Sequence, residues 1–151
     1  MTAELEGSLN QIASLSRTLN EASDQLSKQL SEIEAALNAF AAGIWVWAKR
    51  PIKKEYETDP AIAYVHELGY GKLNGKWGLL VSSGWEDAEP EGIETKFLRD
   101  APRDIRLRAM DEMPQLLEAF AQKLAETTEE TTKKVLRAKE IAVALSKKQR
   151  R

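Results

Sequence analysis

The sequence predicts an α+β protein in which two long terminal helices form an antiparallel, coiled-coil-like hairpin around a small antiparallel sheet of three to four strands, with a short connecting helix. Three observations lead to this prediction. All five prolines and seven of the eight glycines lie between residues 43 and 114, so both ends are nearly free of helix breakers. Apolar residues at each end repeat at spacings of three and four. Nine of the ten aromatic residues lie between Phe40 and Phe97, a composition that favours strands. At 151 residues the chain fits one domain, residues 1–151.

The first predicted helix spans residues 3–42. Its apolar seam advances by alternating steps of four and three residues, which is the 3.5-residue repeat of a coiled coil. Gly43 follows at a position where a residue with positive φ commonly ends a helix. The predicted seam residues of this helix are Leu9, Ile12, Leu19, Leu26, Leu30, Ile33 and Leu37.

The predicted β region spans residues 44–98. Strands are expected at 44–50, 61–70 and 76–83, with a fourth at 94–98. Between the second and third strands lies Asn74-Gly75, which supplies the two residues of positive φ that a type I′ turn requires. This dipeptide predicts a β-hairpin and is the most specific local signal in the chain.

The sequence after the sheet predicts a short connecting helix over residues 101–113 and a second long helix over 114–148. The break is placed at Pro114 because proline suits the first turn of a helix. The second seam consists mostly of small residues, and its larger members are Leu117, Leu124, Val135 and Leu145. Small residues opposite large ones allow close packing, so we expect the two helices to pair antiparallel with Leu26 opposite Thr131.

The two predicted helices carry opposite charge. Residues 1–42 hold two basic and six acidic groups, and residues 113–151 hold nine basic and five acidic groups, in a chain of net charge −2. Opposite charge favours pairing of these helices within one chain or across a dimer, although each exposed ion pair contributes only about 0.2–1 kcal/mol. Several apolar side chains outside the seams, such as those of Leu15 and Leu136, also have no evident surface of the same chain to pack against. We therefore expect a homodimer or higher homo-oligomer.

Composition excludes several classes of site. The chain has no cysteine, and therefore no disulfide, thiol nucleophile or cysteine-bound metal. The acidic residues between 86 and 94 lack the spacing of a calcium loop and predict a solvated loop. We expect no metal and no cofactor. The longest apolar run, residues 39–48, is shorter than the ~20 residues that cross a membrane, and no signal peptide is recognisable, so we expect a cytoplasmic protein without a membrane partner.

The candidate partner-binding residues combine aromatic rings with cations in the β region. They are Trp45, Trp47, Lys49, Arg50, Tyr70, Lys72, Lys76 and Trp77. If these side chains face the helices they are core; if they face solvent they form an anchor for a protein partner or a stacking platform for single-stranded nucleic acid.

The expected function is a non-enzymatic scaffold or adaptor, a homo-oligomer whose aromatic β region contacts an unknown protein. Nucleic-acid binding through the same surface is the alternative. An enzyme centred on His66, the only histidine, is a third reading, and no Gly-x-Ser-x-Gly motif accompanies it. The layout of two terminal helices around a β insertion resembles that of prefoldin chaperone subunits. The resemblance is one of architecture alone, because the tryptophan-containing hairpin 70–78 has no counterpart in that family, and it assigns no family.

Overall fold

The structure, a computed structural model, describes residues 2–56 and 62–150. It confirms an α+β fold in which two long helices flank an antiparallel sheet. Helix α1 spans Ala3–Ala39 and helix α2 spans Arg103–Gln149. The strands between them are β1 (Val46–Trp47), β2 (Lys53–Tyr56), β3 (Ala63–Leu73), β4 (Lys76–Trp85) and β5 (Glu94–Phe97).

Helix α1 begins and ends at identifiable signals. The Leu5 amide donates to the Thr2 hydroxyl at 3.2 Å, which satisfies one of the free amides of the first turn. The helix stops at Ala39 rather than at the predicted residue 42, because Ala41 takes a φ of 48° and Gly43 a φ of 65°. Two left-handed residues in close succession turn the chain towards the sheet.

The sheet has five strands rather than three or four. The predicted first strand, 44–50, pairs only at Val46 and Trp47, and the chain returns as β2 beside the other half of β3. Strands β3, β4 and β5 follow in antiparallel order. The predicted hairpin is confirmed, with φ values of 52° at Asn74 and 78° at Gly75. The predicted start of the second strand, Ala61, lies outside the described residues.

Both helices pack on one face of the sheet. Alternation along β3 and β4 places Leu68, Tyr70, Leu79 and Val81 on that face, each at most 3% exposed. The helical residues buried against them are Leu30, Leu37, Ile105, Ala109, Met113, Leu116, Ala119 and Phe120. Burial of this apolar surface is the main source of stability.

Helix α2 is continuous where the sequence predicts two helices. Pro114 lies inside it and is exposed, whereas Met113 and Leu116 are almost fully buried against the sheet. Proline removes one helical hydrogen bond. Buried contacts on both sides of Pro114 hold the helix together, so the predicted boundary between residues 113 and 114 is wrong.

Helices α1 and α2 run in the same direction where they meet. The Arg106 guanidinium donates to the Ser27 hydroxyl at 2.9 Å. Eleven residues further along α1, Asn38 accepts from the hydroxyl of Tyr70, whose ring lies 5.5 Å from that of Phe120. Residue numbers therefore increase in the same direction along both helices, from Ser27 to Asn38 in α1 and from Arg106 to Phe120 in α2.

The antiparallel hairpin predicted within one chain is consequently wrong. Leu26 lies beside Ser27, at the Arg106 end of the contact, and not opposite Thr131. The physical reason is that each helix packs on the sheet, whose broad apolar face offers more burial than a narrow helical seam. For the same reason, the helices of the described residues form no prefoldin-like hairpin.

Each helix extends beyond this shared core at one end. Residues 3–22 of α1 are all exposed, as are residues 128–149 of α2. We call these segments the N-overhang and the C-overhang. Each is about 30 Å long at 1.5 Å per residue. Because the helices run in the same direction, the two overhangs project from opposite ends of the core.

Candidate functional site

The predicted seam residues fall into two groups. Leu30 and Leu37 are buried, while Leu26, Ile33 and Leu124 are partly buried against the same core. The others are 43–60% exposed, and they are Leu9, Ile12, Leu19, Leu117, Val135 and Leu145. Except for Leu117, all the exposed members lie in the overhangs, where the single chain offers them no partner.

Two tryptophans lie against glycines of β3. Trp47 is paired with Gly69, and a Cβ at residue 69 would lie within 3.0 Å of its indole carbons. A Cβ at Gly71 would meet the Trp45 indole in the same way. Glycine in a strand permits this close approach. The two indoles, which we call the tryptophan pair, nevertheless remain 36% and 47% exposed. They are therefore neither core residues nor fully free side chains.

An open cleft of about 580 Å³ lies between the end of α1 and the β3–β4 hairpin. We call it the hairpin cleft. Its polar and aromatic lining consists of Glu34, Asn38, Tyr70, Lys76, Trp77 and Arg99. It contains three of the eight predicted partner-binding residues, and Trp45 adjoins it with its ring 6.2 Å from that of Trp77.

Polar side chains of α1 complete the edge of β4 in this cleft. Strand β5 pairs with β4 only from Leu80 to Ser83. The Glu34 carboxylate accepts from the Leu79 amide at 3.0 Å, and Asn38 Nδ2 donates to the Trp77 carbonyl at 3.2 Å. Backbone groups that no neighbouring strand reaches are thereby satisfied.

Replacing Glu34 with alanine tests this role. The Leu79 amide, in a residue only 1% exposed, would lose its acceptor, and Arg99 would lose the carboxylate it binds at 3.0 Å. We expect the free energy of unfolding to fall by about 1–3 kcal/mol in urea titrations. The matched control is Glu32→Ala on an exposed position of the same helix, with a change within about 0.5 kcal/mol. Equal losses in both variants would contradict the role assigned to Glu34.

The aromatic rings in and beside the cleft pack against one another. Trp77 stacks on Tyr70 with ring centroids 5.8 Å apart and an interplanar angle of 25°, and Trp45 contacts it edge-on. Burial, together with the nearby charge of Glu34, raises the pKa of the Tyr70 hydroxyl above its usual value. This hydroxyl therefore stays protonated at neutral pH and donates to Asn38. Trp77 lies between the rings of Tyr70 and Trp45, so its ring is less available to stack on a ligand than expected from the sequence.

The predicted cations separate into different environments. Arg50 lies 3.3 Å from the Glu112 carboxylate on α2, so it contributes to docking of that helix. Lys49, Lys72 and Lys76 are exposed, and Lys76 lines the hairpin cleft. The structure therefore brings Tyr70, Lys76 and Trp77 together, with Trp45 adjacent. Arg50 lies away from this group, next to Glu112 of α2.

Sequence reasoning missed three residues of the cleft, namely Glu34, Asn38 and Arg99. Arg99 also lies 4.1 Å from the centre of the Phe97 ring, which fixes its guanidinium next to Glu34. These polar residues come from α1 and from the turn before α2, and no local pattern in the sequence connects them.

His66 belongs to a cluster of polar side chains assembled from three strands. Its Nδ1 lies 2.7 Å from the Ser83 hydroxyl, and its Nε2 lies 3.6 Å from the Glu55 carboxylate. A hydroxyl, an imidazole and a carboxylate in this order resemble a hydrolytic triad. However, Ser83 is only 6% exposed and the adjoining cavity is only about 80 Å³. The Ser83 hydroxyl is therefore nearly buried, with little room beside it for an acyl substrate.

Lys53 connects this cluster to the start of α2. Its ammonium lies 2.7 Å from Glu55 and 3.2 Å from Asp104. Hydrogen bonds from Lys53 hold the pKa values of the Glu55 and Asp104 carboxyls below their usual values, and the same bonds raise the pKa of the Lys53 ammonium. The carboxylates therefore stabilise the folded state above their unfolded pKa values, and this contribution is lost as the pH falls through the lower folded values.

Asp104→Asn should weaken this acid dependence. We expect the melting temperature of the variant to fall less than that of the unmodified protein between about pH 5 and pH 3, because one carboxyl of depressed pKa is gone. Asp111→Asn is the control, since Asp111 makes no ion pair within the described residues. If Asp104→Asn and Asp111→Asn change the acid dependence equally, the Lys53 contact does not matter for stability.

Within residues 2–56 and 62–150, no group of three or more histidine or carboxylate side chains is placed to hold a metal ion. No helix in the described part of the chain is both long enough and apolar enough to cross a membrane. Comparison of the chain with protein-family models, with curated proteins and with solved structures finds no match.

Proposed function

We propose that this protein is a non-enzymatic scaffold or adaptor, a cytoplasmic homo-oligomer held together by its helices that offers its aromatic β region to a partner protein. The observation that carries the proposal is the row of exposed leucine, isoleucine and valine side chains along both overhangs. Most helical stability in proteins comes from packing of an apolar face, and the single chain offers the overhangs no such packing. The overhangs therefore need a partner, and a second copy is always available.

The β region suits a binding role because its exposed tryptophan side chains are held in place against strand β3. The tryptophan pair is 36–47% exposed and lies against the glycines of β3. The hairpin cleft beside it adds Lys76 and the Glu34–Arg99 ion pair. Tryptophan, tyrosine and arginine are the residues that most often dominate binding energy at protein interfaces.

Light scattering during size-exclusion chromatography tests the oligomer. We expect a mass of about 34 kDa or more, at least twice the 16.9 kDa of one chain. A cooperatively folded monomer at micromolar concentration would reject the proposal.

Binding of single-stranded nucleic acid is a second candidate, favoured by the exposure of Trp45 and Trp47 in a region that also exposes Lys49 and Lys72. Titration with a single-stranded oligonucleotide tests it. If this candidate holds, tryptophan fluorescence changes on addition of the oligonucleotide, the change weakens as salt rises, and Trp45→Ala abolishes it. No change in fluorescence at low salt rejects it and leaves the protein-binding role in place.

A further inference from the structure

We infer that the N-overhang of one copy pairs antiparallel with the C-overhang of a second copy, and that the same contact recurs at the other end of a twofold dimer. The inference rests on the proposed homo-oligomer and specifies which surfaces hold it together. It is carried by the direction, length, seam and charge of the two overhangs.

Because α1 and α2 run in the same direction, this contact can form twice in one dimer, once at each end. Within one chain the overhangs project from opposite ends of the core, since α1 and α2 run in the same direction. A second copy turned by 180° about an axis perpendicular to the helices places its N-overhang beside the C-overhang of the first. The reciprocal contact forms at the other end, so the assembly is closed and symmetric.

The lengths of the two overhangs match. The N-overhang has 20 residues and the C-overhang has 22, counted as continuous stretches of exposed helix. Both therefore span about 30 Å. With the two cores side by side, neither overhang extends far past the other.

The apolar seams also align in this register. In this antiparallel pairing the start of one N-overhang lies beside the end of the partner's C-overhang. Each seam residue of one overhang then faces one seam residue of the other. The pairs are Leu5 with Leu145, Leu9 with Ala142, Ile12 with Ala138, Ser16 with Val135, and Leu19 with Thr131 of the partner. Most layers combine a large with a smaller side chain, which lets the helix axes approach closely.

Charge favours this pairing over the two alternatives. The N-overhang carries three carboxylates and one arginine, and the C-overhang carries three carboxylates and six basic residues. At the tips, Glu4 and Glu6 would lie near Lys147 and Lys148 of the partner. Pairing two N-overhangs would bring like charges together, as would pairing two C-overhangs, and like charges across a helical seam disfavour a partner.

Cysteine cross-linking tests the inference cleanly because the natural chain has no cysteine. Within one chain Ile12 and Ala138 are separated by roughly 70 Å along the helix directions, so no link between them can form inside a monomer. One preparation carries Ile12→Cys and the other carries Ala138→Cys. The two are mixed under dissociating conditions, returned to native conditions and treated with a short bis-maleimide.

We expect a covalent dimer in the mixture and little in either preparation alone. A dimer formed by Ile12→Cys alone, or by Ala138→Cys alone, with none added by mixing, would overturn this pairing while leaving the oligomer intact. Absence of any cross-link, in a protein that light scattering shows to be oligomeric, would also overturn it. A monomer by light scattering would instead remove the proposed function itself.

Discussion

The double substitution Leu9→Ser with Ile12→Ser is expected to convert the oligomer into a monomer. Both side chains are about half exposed in the single chain, so their removal costs little folding energy there. In the proposed dimer, four such side chains are buried. At about 1.5 kcal/mol each, their loss is roughly 6 kcal/mol and raises Kd about 10⁴-fold.

Sedimentation equilibrium measures this Kd directly. Asn10→Ser with Gln11→Ser is the matched control, because these positions lie on the same turns of α1 but outside the seam. We expect the control to keep the Kd of the unmodified protein within a few-fold. An unchanged Kd in the Leu9/Ile12 variant would show that the N-overhang does not hold the oligomer together.

Leu116→Ala is expected to cause a large loss of stability. Leu116 is fully buried between α2 and the sheet, and a Leu→Ala change in a core costs about 2–5 kcal/mol. Its neighbour Leu117 is 43% exposed, so Leu117→Ala should cost less than about 1 kcal/mol. Urea unfolding of both variants, made in the Leu9→Ser/Ile12→Ser background, separates folding from association.

This pair of variants also tests which face of α2 packs on the sheet. The coiled-coil repeat places Leu117 in the predicted seam and Leu116 outside it, whereas the structure buries Leu116. Equal destabilisation by the two alanine substitutions would mean that the face of α2 is rotated from the one described.

The difference between Leu116 and Leu117 shows what the sequence could and could not predict. Periodicity finds the apolar stripes of a helix, but it does not say which partner covers each stripe. The turn at Asn74-Gly75 was predictable because it depends on residues that readily adopt positive φ, whereas α1 ends three residues before the predicted residue 42 because Ala41, an alanine, also takes a positive φ. The relative direction of α1 and α2 was not predictable, because it depends on how each helix packs on the sheet.

The break at Pro114 was predicted from a true local preference that the core overrides. A proline inside a helix is unfavourable, and only the buried neighbours on both sides, such as Met113 and Leu116, show why it is tolerated. Strand β2 was missed because its sequence, Lys53 to Tyr56, is mostly charged and lies at the sheet's edge.

The candidate site was predictable only in part. The sequence does contain a signal for the tryptophan pair: Gly69 and Gly71 occur at alternate positions of a strand, as do Trp45 and Trp47, and glycine in a strand marks close approach by another group. By contrast, Glu34 and Asn38 reach Leu79 and Trp77 across 45 and 39 positions of the chain. Contacts of that kind arise from the tertiary fold and leave no local pattern.

Hydrogen exchange at two protein concentrations tests the central claim, that the overhangs are buried between chains. The account predicts that amides of residues 3–22 and 128–149 are protected at about 100 μM and exchange rapidly at concentrations below the Kd, while strands β3 and β4 stay protected at both. Rapid exchange in both overhangs at every concentration, in a protein whose strands remain protected, would contradict it.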